Sequence, residues 1–209
     1  MRASTTQVRV PPHAALGTTR ITLLAFAIAT WGALPARAAP VTVVELDPSH
    51  SNIAFLLAGN VHDTHGTFKL KSGTMRFDPA TGEADGSIVV DVTSGDTGNS
   101  SRDNKMHHEI LESYKFGEAI FTPRRVVGRV APEGASQVDV PGILRIHGAD
   151  HDVTMKMSIT ASGGKFSAQT RFVIPYQSWG MKNPSTFLLS VAGDVTVEIS
   201  VAGSLSTLP

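Results

Sequence analysis

The chain has 209 residues, no cysteine, and 18 Lys and Arg against 18 Asp and Glu. That length suits a single domain with a sizeable core, and the lack of cysteine excludes a disulfide-stapled scaffold and a thiol for lipid attachment. The neutrality is uneven: residues 1–38 hold four arginines and no acid, leaving 14 basic against 18 acidic side chains in the rest, which argues against nucleic acid as a partner because phosphate binding needs clustered Lys and Arg.

The first segment, residues 1–38, reads as a secretory signal peptide. Arg2, Arg9 and Arg20 precede an apolar run from Ile21 to Leu34, and Ala36-Arg37-Ala38 supplies a small-x-small cleavage pattern. The run is shorter than the roughly 20 apolar residues that span a bilayer, so no stable membrane anchor is expected. These features predict an exported bacterial protein, periplasmic or secreted after cleavage near Ala38, with residues 39–209 forming one domain.

Period-2 segments then follow one another between turn signals, the pattern of β-strands. Val41 to Leu46 is short and apolar and ends at Asp47-Pro48-Ser49. Ser51 to Leu57 aligns Ile53, Phe55 and Leu57; His65 to Leu70 aligns Phe68 with Leu70; Thr74 to Phe77 aligns Met75 with Phe77. Ile88, Val90 and Val92 share a face in the next strand.

A helix interrupts this series. Ser100 or Ser101 is the expected N-cap, with Asp103 in the first turn beside the positive end of the helix dipole. Met106, Ile110 and Tyr114 recur at i, i+4 and i+8 with Leu111 alongside, giving one apolar stripe, and Gly117 is the expected stop. The stripe needs an apolar surface to cover, and the strands supply it.

Strands resume at Ala119 to Val130 and at Gln137 to Ile146. The cleanest alternation follows, with Val153, Met155, Met157 and Ile159 inward and Thr154, Lys156, Ser158 and Thr160 outward. Gly163-Gly164 makes a hairpin into Phe166 to Ile174, and the turn-rich PYQSWGMKNPSTF leads to a last strand at Asp194 to Val201. So many short strands with one helix predict an all-β fold: an antiparallel barrel of about eight strands, closed so that no sheet edge is exposed, with one short α-helix covering an end.

Several segments together resemble the YceI-like family: Asp47-Pro48-Ser49-His50-Ser51 with Phe55, His65-Gly66-Thr67-Phe68, Phe77-Asp78-Pro79, Ser94 to Asp103, Ile146-His147-Gly148 with Val153, and Phe172 to Met181. The chain departs from the common pattern at Lys105-Met106-His107-His108 and at Gly117, where proline is frequent. The resemblance implies a lipocalin-like barrel that binds a polyisoprenoid or similar lipid. The ligand-facing residues expected are Phe55, Phe68, Met75, Phe77, Met106, Ile110, Tyr114, Met155, Met157, Phe166, Phe172 and Trp179. From periodicity alone the same inward set also suits a solid core, or an interaction module that meets a partner through its outer loops. An exposed helix face or an open barrel edge could mediate a homodimer.

No catalysis and no cofactor are expected. Gly-x-Ser-x-Gly is absent, and Ser94 to Asp103 is rich in residues that close turns and cap helices, with Arg102 able to pair with a carboxylate. The alternative is a histidine-dependent metal site or hydrolase built from His62 and His65, His107 and His108, or His147 and His151. It is disfavoured because strand residues three apart point to opposite faces, and adjacent helical residues lie about 100° apart.

Overall fold

The computed structural model describes residues 40–208, so the expected signal peptide lies outside the described residues. Nine antiparallel strands form one sheet: β1 (Val41–Leu46), β2 (Asn52–Leu57), β3 (Thr64–Phe77), β4 (Ala84–Asp96), β5 (Glu118–Pro123), β6 (Gly134–Ile146), β7 (Ala149–Ser162), β8 (Lys165–Ile174) and β9 (Val195–Leu208). Pairing runs from β2 through β9, β8, β7, β6, β5 and β4 to β3, and β3 closes the barrel by pairing with β2.

Nine strands occupy eight positions. β1 and β2 both lie between β3 and β9, β1 against Thr74–Phe77 and Gly203–Leu208, β2 against Thr64–Phe68 and Thr196–Ser200. They are one wall strand broken by a 3-10 turn over Pro48–His50. Asp47 caps that turn, accepting from the Ser49 N–H (2.9 Å), the Ser49 hydroxyl (2.6 Å) and His50 Nδ1 (2.7 Å). The Ser49 and His50 hydrogen bonds hold the Asp47 carboxyl at a pKa of about 2.

The inward face expected for β7 is the observed one, Phe166, Ala168, Thr170 and Ile174 of β8 are likewise buried, and the core is a single cluster of buried side chains from all around the wall. Two expected strands, His65 to Leu70 and Thr74 to Phe77, are one continuous β3 whose register with β4 shifts at bulges; the Ser72-Gly73 step only looks like a turn. The expected strand at Ala119 to Val130 stops at Pro123. Beyond it the chain closes the lower end of the barrel, pinned by the backbone pairs Glu83–Arg125 and Val127–Asp139.

The upper end holds the β2–β3, β6–β7 and β8–β9 connections and the helical segment. Here α1 (Ser100–Lys105) continues as a π-turn over Met106–Ile110. Among the described residues no helix is long and apolar enough to cross a membrane.

Candidate functional site: two apolar chambers under a helical lid

The upper chamber has a volume of about 170 Å³ and is walled by period-2 side chains of the strands, among them Phe55, Phe68, Val90, Ala119, Leu144, Phe172 and Val197. Phe55 and Phe68 are cross-strand neighbours with ring centroids 5.4 Å apart, a spacing at which aromatic pairs attract beyond their burial. Met106, Ile110 and Leu111 close it from above.

The π-turn decides which lid residues face down. Leu111 N–H reaches the Met106 carbonyl (2.9 Å), so the last turn is one residue wider than an α-turn. Glu112 then takes a positive φ of 43° and turns the chain away. The expected stripe is therefore cut short: Tyr114 is 73% exposed and lines neither chamber. Its place near the barrel end is taken by Phe116, which packs on His147 with centroids 4.6 Å apart. The helix ends at Ile110, well before Gly117, because a strict i, i+4, i+8 count assumes an uninterrupted α-helix.

The lid is fixed by polar ties at each stage. Its N-cap is Asn99, not Ser100 or Ser101, with Oδ1 accepting from Arg102 N–H at 3.0 Å. Asp103 accepts from the Thr97 N–H (2.9 Å) and hydroxyl (2.6 Å), and the Thr97 hydroxyl holds the Asp103 carboxyl below its usual range. Arg102 donates to Thr97 Oγ1 (2.9 Å) and the Thr97 carbonyl (3.1 Å) instead of meeting a carboxylate, so the polar cluster of Ser94 to Asp103 serves largely to close its own loop.

His107 Nε2 donates to the Gly95 carbonyl (2.9 Å), leaving Nδ1 to accept from Ser113 Oγ (2.9 Å) in the neutral ring. Gly95 lets the lid come this close: a Cβ there would lie 2.6 Å from Phe68 Cε1 and 2.7 Å from Met106 Cε. At the far end Glu112 accepts from His147 Nε2 at 2.9 Å.

The lower chamber, about 110 Å³, is lined by Met75, Phe77, Met155, Met157, Phe166 and aliphatic neighbours. It shares Ile199 with the upper one, so the pair runs along the barrel axis. Thr170 is the lone polar side chain among its lining; it is buried and its hydroxyl has no hydrogen-bond partner among the described residues.

Thr170 stands where β7 and β8 part. Their ladder ends at Ser158–Gln169, while Thr170–Ile174 pairs with β9 alone. Above this seam the β8–β9 connection crosses toward β7, and Trp179 stacks on His151 at 3.8 Å and 7°. Trp179 is thus placed against β7 and lines neither chamber, whereas its neighbours Tyr176 and Met181 line the upper one.

Of the residues expected to face a ligand, the structure brings Phe55, Phe68, Met106, Ile110 and Phe172 to the upper chamber. Met75, Phe77, Met155, Met157 and Phe166 meet at the lower one. Tyr114 and Trp179 belong to neither. Much of the aliphatic wall, such as Leu144, Val195 and Ile199, lies outside the expected set although it follows the same alternation. Met181 and Tyr176 were hidden by the irregular connection that carries them. Among the described residues no group of three or more His, Cys, Asp or Glu is placed to hold a metal.

A family model for the YceI-like domain matches residues 45–202. A UPF0312 protein of Vibrio parahaemolyticus is 28% identical over 124 residues, 58% of this chain and 64% of that protein; one of Vibrio campbellii is 27% identical over the same shares. The chain thus aligns with about 64% of the length of these relatives.

Among solved structures, Burkholderia cenocepacia BcnA superposes with a TM-score of 0.62 at 17% identity, covering 75% of this chain and 98% of that one. A polyisoprenoid binding domain from Saccharophagus degradans gives 0.61 at 18%, covering 78% and 98%. The Campylobacter jejuni YceI protein gives 0.54 at 20%, covering 69% and 84%. At these identities the structural likeness establishes the barrel fold.

Proposed function

We propose that this chain, which belongs to the YceI-like domain family, is an exported, non-catalytic carrier that holds a hydrophobic chain, a polyisoprenoid or similar lipid, inside its barrel. The observation that carries the reading is the axial pair of chambers, which share Ile199 in their walls and are lined by apolar side chains except for Thr170 and the phenol of Tyr176. Export rests on the leader-like features of residues 1–38.

Size constrains the cargo. A cavity of about 150 Å³ holds benzene, so chambers of about 170 and 110 Å³ each take a ring-sized group as they stand. A longer chain threads both once Ile199 and the flexible methionines Met106, Met155 and Met157 swing aside, a movement that suits unbranched thioether side chains. Burying about ten methylenes gains roughly 8 kcal/mol, which offsets association costs in the lower part of their range of about 4–15 kcal/mol.

The histidine-based alternative has less support. His107 spends both ring nitrogens on Gly95 and Ser113, and His147 is engaged by Glu112. The polyisoprenoid description of the Saccharophagus domain adds support for a lipid, because the two proteins share the fold.

The test is organic extraction of the purified protein followed by mass spectrometry, with uptake of a lipophilic fluorescent probe measured in parallel. A stoichiometric lipid and saturable probe uptake are expected. Protein that releases nothing and takes up no probe refutes the carrier reading.

A further inference from the structure

The β8–β9 connection carries a tight turn at Thr186–Leu189 whose chemistry does not suit a turn. Thr186 N–H donates to the Leu189 carbonyl (2.7 Å), and Leu189 N–H donates to Thr186 Oγ1 (3.2 Å), so Phe187 and Leu188 are its two central residues. Such positions ordinarily hold Gly, Asn, Asp or Pro, which supply the backbone geometry and are soluble. Phe187 is 101% exposed and Leu188 77%. Nothing in the turn's own hydrogen bonding calls for apolar side chains there.

The turn belongs to a patch at the rim of the upper chamber. Leu189 is exposed beside it, as is Val61 on the β2–β3 connection. The two connections are tied together: Asn60 N–H donates to the Ser190 carbonyl (2.9 Å), Ser190 N–H donates to Asn60 Oδ1 (3.0 Å), and Gly59 pairs with Val191. Both reach the chamber wall, one through Leu57 at its start and the other through Pro184 within it. Of the eight large hydrophobic residues exposed among the described residues, these four and Tyr114 lie in connections at this one end.

We infer that the Phe187–Leu188 turn, with Leu189 and Val61 beside it, inserts into the surface of a lipid bilayer and sets the rim of the upper chamber against it. This inference rests on the lipid-carrier reading, because a cargo of that class resides in bilayers. Shape and charge point the same way. Four side chains on two tied connections fall short of the roughly 800 Å² per partner that a standard protein interface buries, whereas bulky apolar side chains at a tip suit the boundary between headgroups and acyl chains.

The nearby cations are already engaged, Lys182 with Glu109 (2.7 Å) and Lys105 with the Pro184 carbonyl (3.0 Å). Docking is therefore apolar in character and does not require headgroups of net negative charge.

The experiment is flotation of the purified protein with phosphatidylcholine vesicles, comparing wild type with a Phe187→Ser, Leu188→Ser double variant and with Val61→Ser. Wild type is expected to float, with little change on raising salt. The double variant should lose about tenfold or more of the binding, in line with two exposed apolar anchors removed, and Val61→Ser should lose less. Thermal melting and probe uptake should be unchanged, since neither turn residue lines a chamber.

Wild type that does not float, or a double variant that floats equally well, overturns the inference. So does a wild type that sediments as a dimer, ignores vesicles and becomes monomeric in the double variant, because the patch would then meet a second copy. Flotation without probe uptake refutes the carrier reading and keeps the docking surface; probe uptake without flotation does the reverse.

Discussion

Replacing Ala119 by Leu tests whether the upper chamber is accessible space or packed core. Ala119 is buried on β5, opposite Val90, and its side chain contributes to the wall of a chamber of about 170 Å³. The substitution adds three carbons, half of a benzene, to a space larger than the cavity that holds benzene. Their transfer from water is worth about 2.4 kcal/mol, less about 0.5–1 kcal/mol of leucine rotamer entropy, which leaves about 1.5 kcal/mol.

Delipidated Ala119→Leu should therefore melt about 3–6 °C higher than wild type, at about 2–4 °C per kcal/mol for a protein of this size. Its affinity for a lipophilic probe should fall about 50-fold, because the new side chain occupies the space of three cargo carbons worth about 2.4 kcal/mol. The assay is calorimetry on the lipid-free protein beside fluorescence titration. A fall in melting temperature would refute the reasoning, since overpacking a filled core costs about 1–3 kcal/mol.

Gly95→Ala should push the lid off the wall: the new Cβ would meet the Phe68 ring at 2.6 Å and Met106 Cε at 2.7 Å, destabilising by about 1–3 kcal/mol and speeding probe release in stopped-flow, and an unchanged release rate would show that the lid does not gate the chamber. Asp47→Asn should flatten the acid limb of stability. The Ser49 and His50 hydrogen bonds hold the folded carboxyl at about 2, below the ordinary aspartate value of 3.8, so its contribution is present above pH 3.8 and lost as pH falls through 2; melting curves from pH 6 to 2 that stay parallel for variant and wild type would contradict this. Thr170→Val removes a buried hydroxyl that has no partner among the described residues, and denaturant melts should show a gain of about 1 kcal/mol or more, the desolvation of that group being relieved. A loss would mean that the hydroxyl is satisfied in solution.

The barrel was legible because its strands alternate strictly. Phe166, Ala168, Thr170, Phe172 and Ile174 could face inward together only on a strand, and a series of such strands avoids bare edges by closing. What escaped the sequence lies where local periodicity stops governing the chain. The π-turn inserts one residue into the helical count, so Tyr114 leaves the stripe that its spacing predicts and Phe116 comes back to the barrel. Trp179 and Met181 differ by two positions in a connection without a period, and only tertiary packing sends one onto His151 and the other into the chamber. The Asn99 cap lost to its serine neighbours for a similar reason, since Asn and Ser both cap well and the register of the first turn decides among the three positions.

The two ends of the barrel are closed by different kinds of bond, and that difference locates the mouth. At the lower end the chain after β5 is stitched into the wall by its backbone: Arg124 N–H to the Pro141 carbonyl (2.9 Å), Val126 N–H to the Gly82 carbonyl (2.7 Å), and reciprocal bonds between Val127 and Asp139 (2.8 and 2.9 Å). Opening there strips paired backbone groups, and each one left buried without a partner costs about 1–3 kcal/mol.

The lid is held otherwise. Its ties to the strands and to the β8–β9 connection run through the side chains His107, Lys105, Glu109 and Glu112. The Lys182–Glu109 pair is solvent-exposed and screened, so it adds little to the closure. The apolar cost of lifting Met106, Ile110 and Leu111 is recovered when they settle again on a hydrocarbon cargo. Opening is thus cheaper at the lid end, which is the end where Phe187 and Leu188 project, so the turn that would meet a bilayer stands beside the part of the wall that yields most readily.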